Sequence, residues 1–229
     1  MDKYSDTSKL SIRQIDKPTA KKMVVKYHYS KLWTKCSVAL GLFIDTGKEH
    51  SFFDEPEEKM IGVIVYGDPV GRASGESISN LIDRTEVFEL TRLFIYDGYG
   101  NNIESWFISQ SFNWLRINNS EIKALISYAD PSANHKGLIY RASNWLYQGN
   151  EIGAADAYMY RYPNTDNWLS DRAIGEQLGT NGLKGVLDKI PDMEYKKKLR
   201  KHRYIYFVCS KKEKKRLMGE LKHPLLEYN

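Results

Sequence analysis

The segment 127–149 places a polar loop between a predicted strand and a predicted helix, and this order confines the chain to a fold that mixes the two. The apolar run 123–128 (KALISY) predicts a strand, and Pro131 ends it because proline cannot extend a β-ladder. After Gly137, apolar residues recur at the three-to-four spacing of a helix. These residues are Leu138, Ala142, Trp145 and Leu146.

The loop carries the first candidate site, because ligands of open α/β sheets bind beyond the carboxyl ends of the strands. Its polar residues are Tyr128, Asp130, Asn134, His135 and Tyr140. Tyr140 and Asn144 are four apart, so both are expected on one helical face that points back to the loop. Asp130 can orient an amine or accept its proton, while the phenol and the amide bind the substrate. The structural alternative is that Asp130 caps the following turn.

Strands and helices alternate along the rest of the chain. Further strands are predicted over residues 10–15, 37–44, 60–66, 86–96, 155–160 and 202–209. Helices are predicted over residues 18–27 and 104–117, a loop over 67–83, and a long connection with at least one short helix over 161–192. Segments 37–44 and 60–66 are expected to pair antiparallel. The predicted class is α/β with a mixed central sheet flanked by helices, and the order of elements resembles the GNAT acyltransferase fold.

Length and composition exclude several classes of protein. The 229 residues suit a single domain spanning 1–229, and 41% hydrophobic and 28% charged residues are typical of a soluble globular protein. No apolar run is long enough to span a membrane, and the start of the chain lacks a signal-peptide pattern, so no membrane partner is expected. Cys36 and Cys209 are far apart and lack metal-type spacing, which predicts free thiols in a reducing cytoplasm.

Positive charge is concentrated near the C-terminus. Residues 195–222 contain twelve Lys or Arg and two Glu, a local charge of +10 within a chain of net charge +5. This basic C-terminal strand–helix extension predicts contact with phosphates, and a solvated helix face is the structural alternative. The residues expected to contact phosphates are Lys196, Lys197, Lys198, Arg200, Lys201, Arg203, Lys211 and Lys212.

The predicted strand 86–96 carries two charged side chains, Glu89 and Arg92, among apolar residues. Burying a charge is unfavourable unless it is paired or belongs to a site. Because side chains alternate along a strand, Glu89 and Arg92 are expected on opposite faces of the sheet. The structural alternative is that one lies on the surface and the other forms an ordinary ion pair.

His28 and Tyr29 end the first predicted helix and form a second candidate pair. An imidazole can serve as a base or a metal ligand, and a phenol can donate a proton or bind a metal as phenolate. The alternative is a helix end that packs and hydrogen-bonds locally. His135 can meet this pair only if the fold brings the two segments together.

The loop 97–105 (DGYGNNIES) precedes a predicted helix, where backbone N–H groups suit an anion. Gly98 and Gly100 permit close approach of a ligand. However, the Arg/Gln-x-x-Gly-x-Gly/Ala pattern of a GNAT pyrophosphate loop is missing, and Asp97 and Glu104 would repel a pyrophosphate. Binding of coenzyme A in the ordinary manner is therefore not expected. Acetyl-CoA stays among the candidate donors, with an atypical pyrophosphate loop.

Five blocks of sequence, in this order, resemble the phage Mom family of DNA-modification proteins. They are HYS at 28–30, ELTRLFI at 89–95, NNIES at 101–105, SYADPSANHKGLIYRASNW at 127–145 and KHRYIYF at 201–207. The resemblance implies a GNAT-like transferase that converts adenine in double-stranded DNA to N6-carbamoylmethyladenine. It also implies that the protein acts in the cytoplasm of the infected bacterium and shields phage DNA from restriction enzymes.

The resemblance assigns the family's functional residues to six positions. They are His28, Tyr29, Arg92, Ser105, Asp130 and Tyr140. It leaves the group donor unknown and implies an iron ion for which His28, Tyr29 and Asp130 are the available ligands. Ser105 lies at a helix start, where its hydroxyl can cap the helix or contact a ligand.

A chemical hypothesis follows from these assignments. The adenine is flipped out of the duplex, Asp130 orients its amine, and Arg92 or His28 stabilises charge that develops on the donor. Tyr128 and Tyr140 are expected to stack on the base. The residues expected to bind the substrate are Glu89, Ser105, Tyr128 and Asn144. Two other functions stay open, namely an acetyltransferase for a small amine or protein lysine and a non-catalytic DNA-binding accessory protein.

Overall fold

A computed structural model describes residues 7–46, 58–70, 72–131, 135, 137–152, 157–180 and 182–228. Within these ranges the β-strands are β1 Leu10–Gln14, β2 Val38–Asp45, β3 Glu58–Gly67, β4 Val87–Ile95, β5 Ala124–Ala129, β6 Leu146–Tyr147, β7 Tyr158–Arg161, β8 Leu169–Ser170, β9 Glu194–Lys197 and β10 His202–Phe207. The α-helices are α1 Lys17–Tyr27, α2 Arg72–Glu76, α3 Ile103–Asn118, α4 Leu138–Ala142, α5 Asp171–Leu178, α6 Leu183–Lys189 and α7 Lys211–Met218.

The chain divides into two compact units. Unit 1 consists of Met1–Ser127, Gly137–Gln148 and Tyr204–Asn229, and unit 2 consists of Tyr128–Lys136 and Gly149–Arg203. The chain passes between the units four times, and two of these passages fall within β5 and β10. The expectation of one domain over residues 1–229 stays a prediction.

A seven-stranded sheet has the order β1-β2-β3-β4-β5-β10-β6. The β4–β5 pair is parallel, whereas β1–β2, β2–β3, β3–β4 and β10–β6 are antiparallel. This arrangement confirms the α/β class with a mixed sheet flanked by helices, and it confirms the antiparallel pairing of β2 with β3.

Helices α1 and α3 of unit 1 cover opposite faces of this sheet. Helix α1 begins after Asp16, whose carboxylate accepts the Thr19 N–H, and it buries Ala20, Met23 and Val24 against the sheet. Its apolar partners include the β3 residues Val63 and Val65. The side chain of Tyr66, which follows directly, points the other way and meets Ser111 of α3, with Oη and Oγ 2.6 Å apart.

A β-bulge in β4 corrects the expected directions of Glu89 and Arg92. The pairs around it are Val65–Arg92, Tyr66–Leu90 and Gly67–Glu89. Thr91 is therefore an extra residue in β4, and the alternation of side chains shifts by one position there. Because Val65 and Gly67 share a face of β3, Arg92 and Glu89 share the same face of β4. The expectation of opposite faces is wrong, since simple parity does not allow for a bulge.

The helix predicted after Gly137 is also corrected. Helix α4 ends at Ala142, Asn144 adopts a left-handed backbone with φ 59°, and Leu146 and Tyr147 pair with Ile205 and Tyr204 of β10. A single left-handed residue ends a helix and releases the chain for strand pairing. The predicted loop 67–83 likewise contains a short helix, α2.

Unit 2 contains a separate three-stranded sheet of order β8-β7-β9. One face packs on α5 and α6 around Tyr160, Ile174 and Val186. These elements account for most of the predicted connection 161–192 and confirm that it contains a short helix. The predicted strand 155–160 is observed at Tyr158–Arg161, and residues 153–156 lie outside the described ranges.

Two expectations from composition can be compared with the structure. Cys36 and Cys209 are both free, as predicted. Across the described ranges, the structure contains no helix with the length and apolar character that crossing a membrane requires.

Candidate active site

The C-terminal end of α1 holds His28 in a defined protonation pattern. The ring nitrogen Nδ1 of His28 accepts the backbone N–H of Ser30 at 3.1 Å and lies 2.8 Å from the Ser30 hydroxyl. A neutral imidazole that accepts at Nδ1 carries its proton on Nε2. His28 is therefore suited to donate a hydrogen bond through Nε2. The local hydrogen bonding considered as the structural alternative is present, and it sets the tautomer.

Tyr29 lies next to His28, with their ring centroids 4.3 Å apart, but its environment differs. Only 6% of His28 is exposed, whereas Tyr29 is 60% exposed. The turn that separates them from the core is tight, because Lys31 adopts φ 49° and donates its N–H to the His28 carbonyl. Tyr29 thus presents its phenol on the surface beside a buried imidazole.

Arg92 is held by two backbone carbonyl groups. Its Nε donates to the Leu32 carbonyl at 3.1 Å, and its Nη1 donates to the Thr91 carbonyl at 2.6 Å. Partial burial lowers the pKa of Arg92, while the nearby Tyr29 and Glu89 oppose that effect. Among the described residues Nη2 has no protein partner, so it is the edge of the guanidinium that can meet a ligand.

Glu89 lies beside Arg92 and also anchors a loop. Its Oε2 accepts the backbone N–H of Val70 at 2.9 Å. This contact uses one carboxylate oxygen to hold the segment that follows β3. The geometry favours a positioning role for Glu89 near Arg92, and its predicted role in binding substrate stays a prediction.

Tyr140 is buried, and its hydroxyl belongs to a hydrogen-bonded chain. The Ser127 hydroxyl donates to the Leu90 carbonyl at 2.9 Å, so it accepts from the Tyr140 hydroxyl at 2.8 Å. Burial raises the pKa of Tyr140, and the neighbouring Tyr29, Tyr204 and Glu89 raise it further. The phenol therefore stays protonated near neutral pH. Tyr140 cannot act as a base there.

The expected stacking of Tyr140 on a flipped base does not fit this geometry. Its ring already stacks on Tyr204, with centroids 4.6 Å apart and planes at 24°, and Trp145 covers it edge-on. Only 7% of Tyr140 is exposed. Asn144 does not share its helical face, because it follows the end of α4 and is exposed.

The β4–β5 ladder ends close to this group of residues. Parallel pairing runs from Val87–Ala124 to Glu89–Ile126, and at the next position the Ser127 hydroxyl donates to the Leu90 carbonyl. Unit 1 therefore brings Tyr29, Glu89, Arg92 and Tyr140 into mutual electrostatic range where two parallel strands stop pairing. This end of a sheet is where α/β folds bind ligands.

Ser105 occupies the first turn of α3. Its hydroxyl donates to the Asn102 carbonyl at 2.9 Å, and Asn102 itself has φ 66° and provides no side-chain cap. The backbone N–H groups of this first turn are thus left without a side-chain cap. No hydrogen bond links Ser105 to Arg92 or Tyr140 within the described parts of the chain. Its role in binding substrate stays a prediction.

Unit 2 holds Asp130, the residue that follows β5. The Lys201 ammonium lies 3.5 Å from Asp130 Oδ2, and the Asp130 carbonyl accepts the His135 N–H at 3.2 Å. Tyr128 lies in β5, two residues before Asp130. The predicted roles of Tyr128 and Asp130 towards substrate stay predictions.

The iron site implied by the resemblance was compared with these geometries. Among the residues that the structure describes, no group of three or more His, Cys, Asp or Glu is placed to hold a metal ion. In addition, Nδ1 of His28 accepts the Ser30 N–H, which engages the lone pair of that nitrogen. The iron site stays a prediction, and no step considered below passes through it.

Most of the predicted phosphate-binding residues lie on the surface, and one does not. Lys196, Lys197, Arg200, Lys211 and Lys212 are exposed. Arg203 is only 2% exposed, because β10 lies in the interior of the sheet. The expectation that Arg203 contacts a DNA phosphate is therefore wrong. The spacing of basic residues along a segment does not predict which of their side chains is buried when part of the segment forms a strand.

Sequence reasoning missed Trp168, which lies in unit 2 between two cations. Lys196 Nζ is 4.2 Å from the centroid of a Trp168 ring, and the Arg161 guanidinium is 4.9 Å from a ring centroid. By register, Arg161 and Lys196 lie on the face of the β8-β7-β9 sheet opposite the core residue Tyr160. The signal in the sequence that could have identified this site was the tryptophan itself, which lies in the predicted connection 161–192.

Comparisons with known proteins agree with the resemblance seen in the sequence. The model of the Mom protein family matches residues 9–228. The protein "Methylcarbamoylase mom" of Escherichia phage Mu is 24% identical over 217 residues, which cover 94% of this chain and 82% of that protein.

Solved structures of acetyltransferases are also similar. Spermidine N-acetyltransferase from Vibrio cholerae is 5% identical with a TM-score of 0.47, covering 88% of this chain and 95% of that one. An acetyltransferase of the GNAT family from Streptococcus pneumoniae is 10% identical with a TM-score of 0.42, covering 86% and 98%. The family match extends over nearly the whole sequence, and so the chain belongs to the Mom protein family.

Proposed function

We propose that this protein transfers a carbamoylmethyl group to the N6 amine of adenine in double-stranded DNA. The observation that carries the proposal is the family match over residues 9–228, and the similarity to a phage Mu protein named as a methylcarbamoylase supports it. The protein then acts in the cytoplasm of a phage-infected bacterium. There the modified base protects phage DNA from restriction enzymes of the host.

The reaction makes two electrostatic demands. A carbon–nitrogen bond forms at N6, the donor loses its leaving group, and one N6 proton passes to an acceptor. Adenine N6 is a weak nucleophile, so the enzyme must stabilise negative charge on the donor and accept the proton. Each demand calls for a different kind of side chain.

Arg92 fits the first demand. Two carbonyl groups hold its guanidinium rigidly, and Nη2 is left to meet a ligand. A charged donor that is already in place stabilises developing negative charge without reorganisation. His28, whose Nδ1 accepts the Ser30 N–H, is proposed as a second group that stabilises this charge.

Asp130 is proposed as the acceptor of the amine proton. Its carboxylate follows β5 and is paired with the Lys201 ammonium at 3.5 Å. Tyr140 has a different role in this proposal. Its buried phenol holds Ser127 and Tyr204 in place and stays neutral throughout.

DNA binding is proposed for the basic surface of unit 2 and for α7. Cations at Lys196, Lys197 and Arg200 can neutralise phosphates, and such binding weakens steeply as salt increases. Trp168, flanked by Lys196 and Arg161, adds an aromatic surface to this basic region. Aromatic rings between cations are typical of surfaces that contact nucleic-acid bases.

Expression in bacteria, followed by digestion of the DNA to nucleosides and mass spectrometry, tests the proposal. The expected result is deoxyadenosine carrying the added mass of a carbamoylmethyl group. An Arg92→Lys variant that remains folded is expected to give much less of it. Unmodified nucleosides from cells that contain abundant folded wild-type protein would contradict the proposed function.

A further inference from the structure

Arg203 of β10 is a buried cation that forms no ion pair with any residue the structure describes. Only 2% of it is exposed, and its Nε and Nη2 atoms have no hydrogen-bond partner in the described part of the chain. Burial lowers the pKa of Arg203, and the nearby Tyr128 opposes this effect. Arginine keeps its proton in proteins, so the charge persists. An unpaired buried charge is strongly unfavourable, which indicates that a partner is missing.

The neighbouring groups that the structure describes in unit 2 do not supply that partner. The carboxylate of Asp130 is already paired with Lys201, two residues before Arg203, at 3.5 Å. Tyr128 offers a hydroxyl group and no formal charge. The four side chains Tyr128, Asp130, Lys201 and Arg203 thus combine two cations with one carboxylate, and the excess charge is positive.

The two unpaired nitrogens define the shape of the missing group. Nε and Nη2 lie along one edge of the guanidinium plane and donate in parallel directions. That edge matches the two oxygens of a carboxylate or of a phosphate group. A single carbonyl or water molecule would satisfy only one of them.

We propose that Arg203 binds an oxyanion of a small ligand through Nε and Nη2, with the Tyr128 hydroxyl beside it. The site is too deeply buried for a phosphate of duplex DNA. The occupant is therefore a small molecule, and the group donor of the transfer reaction fits this requirement. The identity of the occupant rests on the proposed function, whereas the anion site itself does not.

Thermal unfolding in a zwitterionic buffer of low chloride content tests the site directly. The probes are acetate and malonate for the carboxylate arm, and phosphate and pyrophosphate for the phosphate arm. Wild type is compared with Arg203→Met, which removes the charge at similar volume, and with Lys184→Met. Lys184 is an exposed cation of unit 2, with 90% of its side chain accessible, so its replacement controls for the loss of one positive charge.

Without added anion, Arg203→Met is expected to melt at a higher temperature than wild type, because an apolar side chain removes the unpaired charge. An anion at about 100 times its Kd is expected to raise the wild-type Tm by about 5 to 10 °C. Lys184→Met should show the same rise. Arg203→Met should show only the small, general effect of salt.

The two arms identify the ligand chemistry. A rise with carboxylates alone assigns a carboxylate group to the ligand, and a rise with phosphates alone assigns a phosphate. Equal rises in wild type and Arg203→Met for every probe would overturn the anion site. If Arg203→Met does not fold, Arg203→Lys replaces it, since lysine keeps the charge but cannot donate two parallel hydrogen bonds to two oxygens. An anion-dependent rise in Tm that is as large in Arg203→Lys as in wild type would equally overturn the site.

Nucleoside analysis separates this inference from the proposed function. If wild type modifies adenine, Arg203→Met is expected to lower the modified fraction at least tenfold. Full modification by the variant would overturn the link to the donor and leave the proposed function intact. If wild type itself modifies nothing, the proposed function fails, and the unfolding experiment still decides whether Arg203 binds an anion.

Discussion

Glu89 and Arg92 lie on the same face of β4, although an odd number of positions separates them, because Thr91 is inserted as a bulge between the pairs that they form with β3. The bulge brings a carboxylate beside a guanidinium that two carbonyl groups already hold. It also turns Arg92 towards Tyr29 at the end of α1. A local irregularity of one strand thus assembles the charged centre of unit 1.

Replacing Arg92 tests that centre. Arg92→Lys keeps the charge but loses the planar fork, and we expect the rate of adenine modification to fall by roughly 10²- to 10³-fold, as for the loss of one oxyanion-stabilising donor. Single-turnover modification of a DNA oligonucleotide measures the effect. Arg13→Lys is the matched control, because Arg13 lies in an exposed ion pair with Glu58 and should leave the rate unchanged. Equal rates of adenine modification for wild type, Arg92→Lys and Arg13→Lys would show that Arg92 has no role in the reaction.

Two buried phenols predict how stability depends on pH. Burial raises the pKa of Tyr66 and of Tyr140. Their contribution to the free energy of unfolding is complete below the unfolded-state pKa of about 10. As pH rises above that value, the free energy of unfolding falls by about 1.4 kcal/mol per pH unit for each phenol. Urea unfolding between pH 8 and pH 11 measures this loss. The variant Tyr66→Phe/Tyr140→Phe should lose less stability over that range, and an unchanged slope would show that these phenols are not buried.

Gly137 predicts a clash that can be separated from backbone strain. It starts α4 with φ 72°, and a Cβ atom there would lie 2.1 Å from the Tyr204 hydroxyl oxygen. Gly179 has φ 64° with nothing within 4 Å of a Cβ position. Gly179→Ala should therefore cost about 1 to 2 kcal/mol of unfolding free energy from strain alone. Gly137→Ala should cost more, because Tyr204 must move away from Tyr140, and near-UV circular dichroism should report that change.

Trp168 and Lys196 should affect DNA binding in different ways. Lys196→Ala is expected to reduce the slope of log K against log salt concentration by about 1, because one phosphate contact is lost. Trp168→Ala is expected to weaken binding several-fold with little change in slope, because a ring makes no counterion-releasing contact. Titrations of a labelled duplex at several salt concentrations separate the two effects, and Trp168→Phe should retain most of the affinity. If both alanine variants bind DNA with the affinity of wild type, the DNA does not bind at the surface that contains Trp168 and Lys196.

Sequence patterns determined the elements of the fold that depend on local periodicity. The strands around Leu40, Ile64, Leu90 and Ile126 and the helices around Val24 and Phe112 all follow apolar spacing, and they appear where that spacing predicts them. The basic character of 195–222 and the positions carried by the family resemblance are likewise readable from residue types and their order. These features need no knowledge of distant contacts.

Tertiary structure decided the features that depend on how distant segments meet. The bulge at Thr91 is defined by the pairing of β4 with β3, and Arg92 beside it reaches the Leu32 carbonyl beyond α1. The helix after Gly137 gave way to β6 because Leu146 and Tyr147 find partners in β10, more than fifty residues later in the chain. Arg203 looks like its surface neighbours in the sequence, and only the position of β10 inside the sheet buries it. Local sequence patterns predict that side chains alternate between the two faces of a strand. Pairing with distant strands decides where that alternation shifts and which side chains become buried.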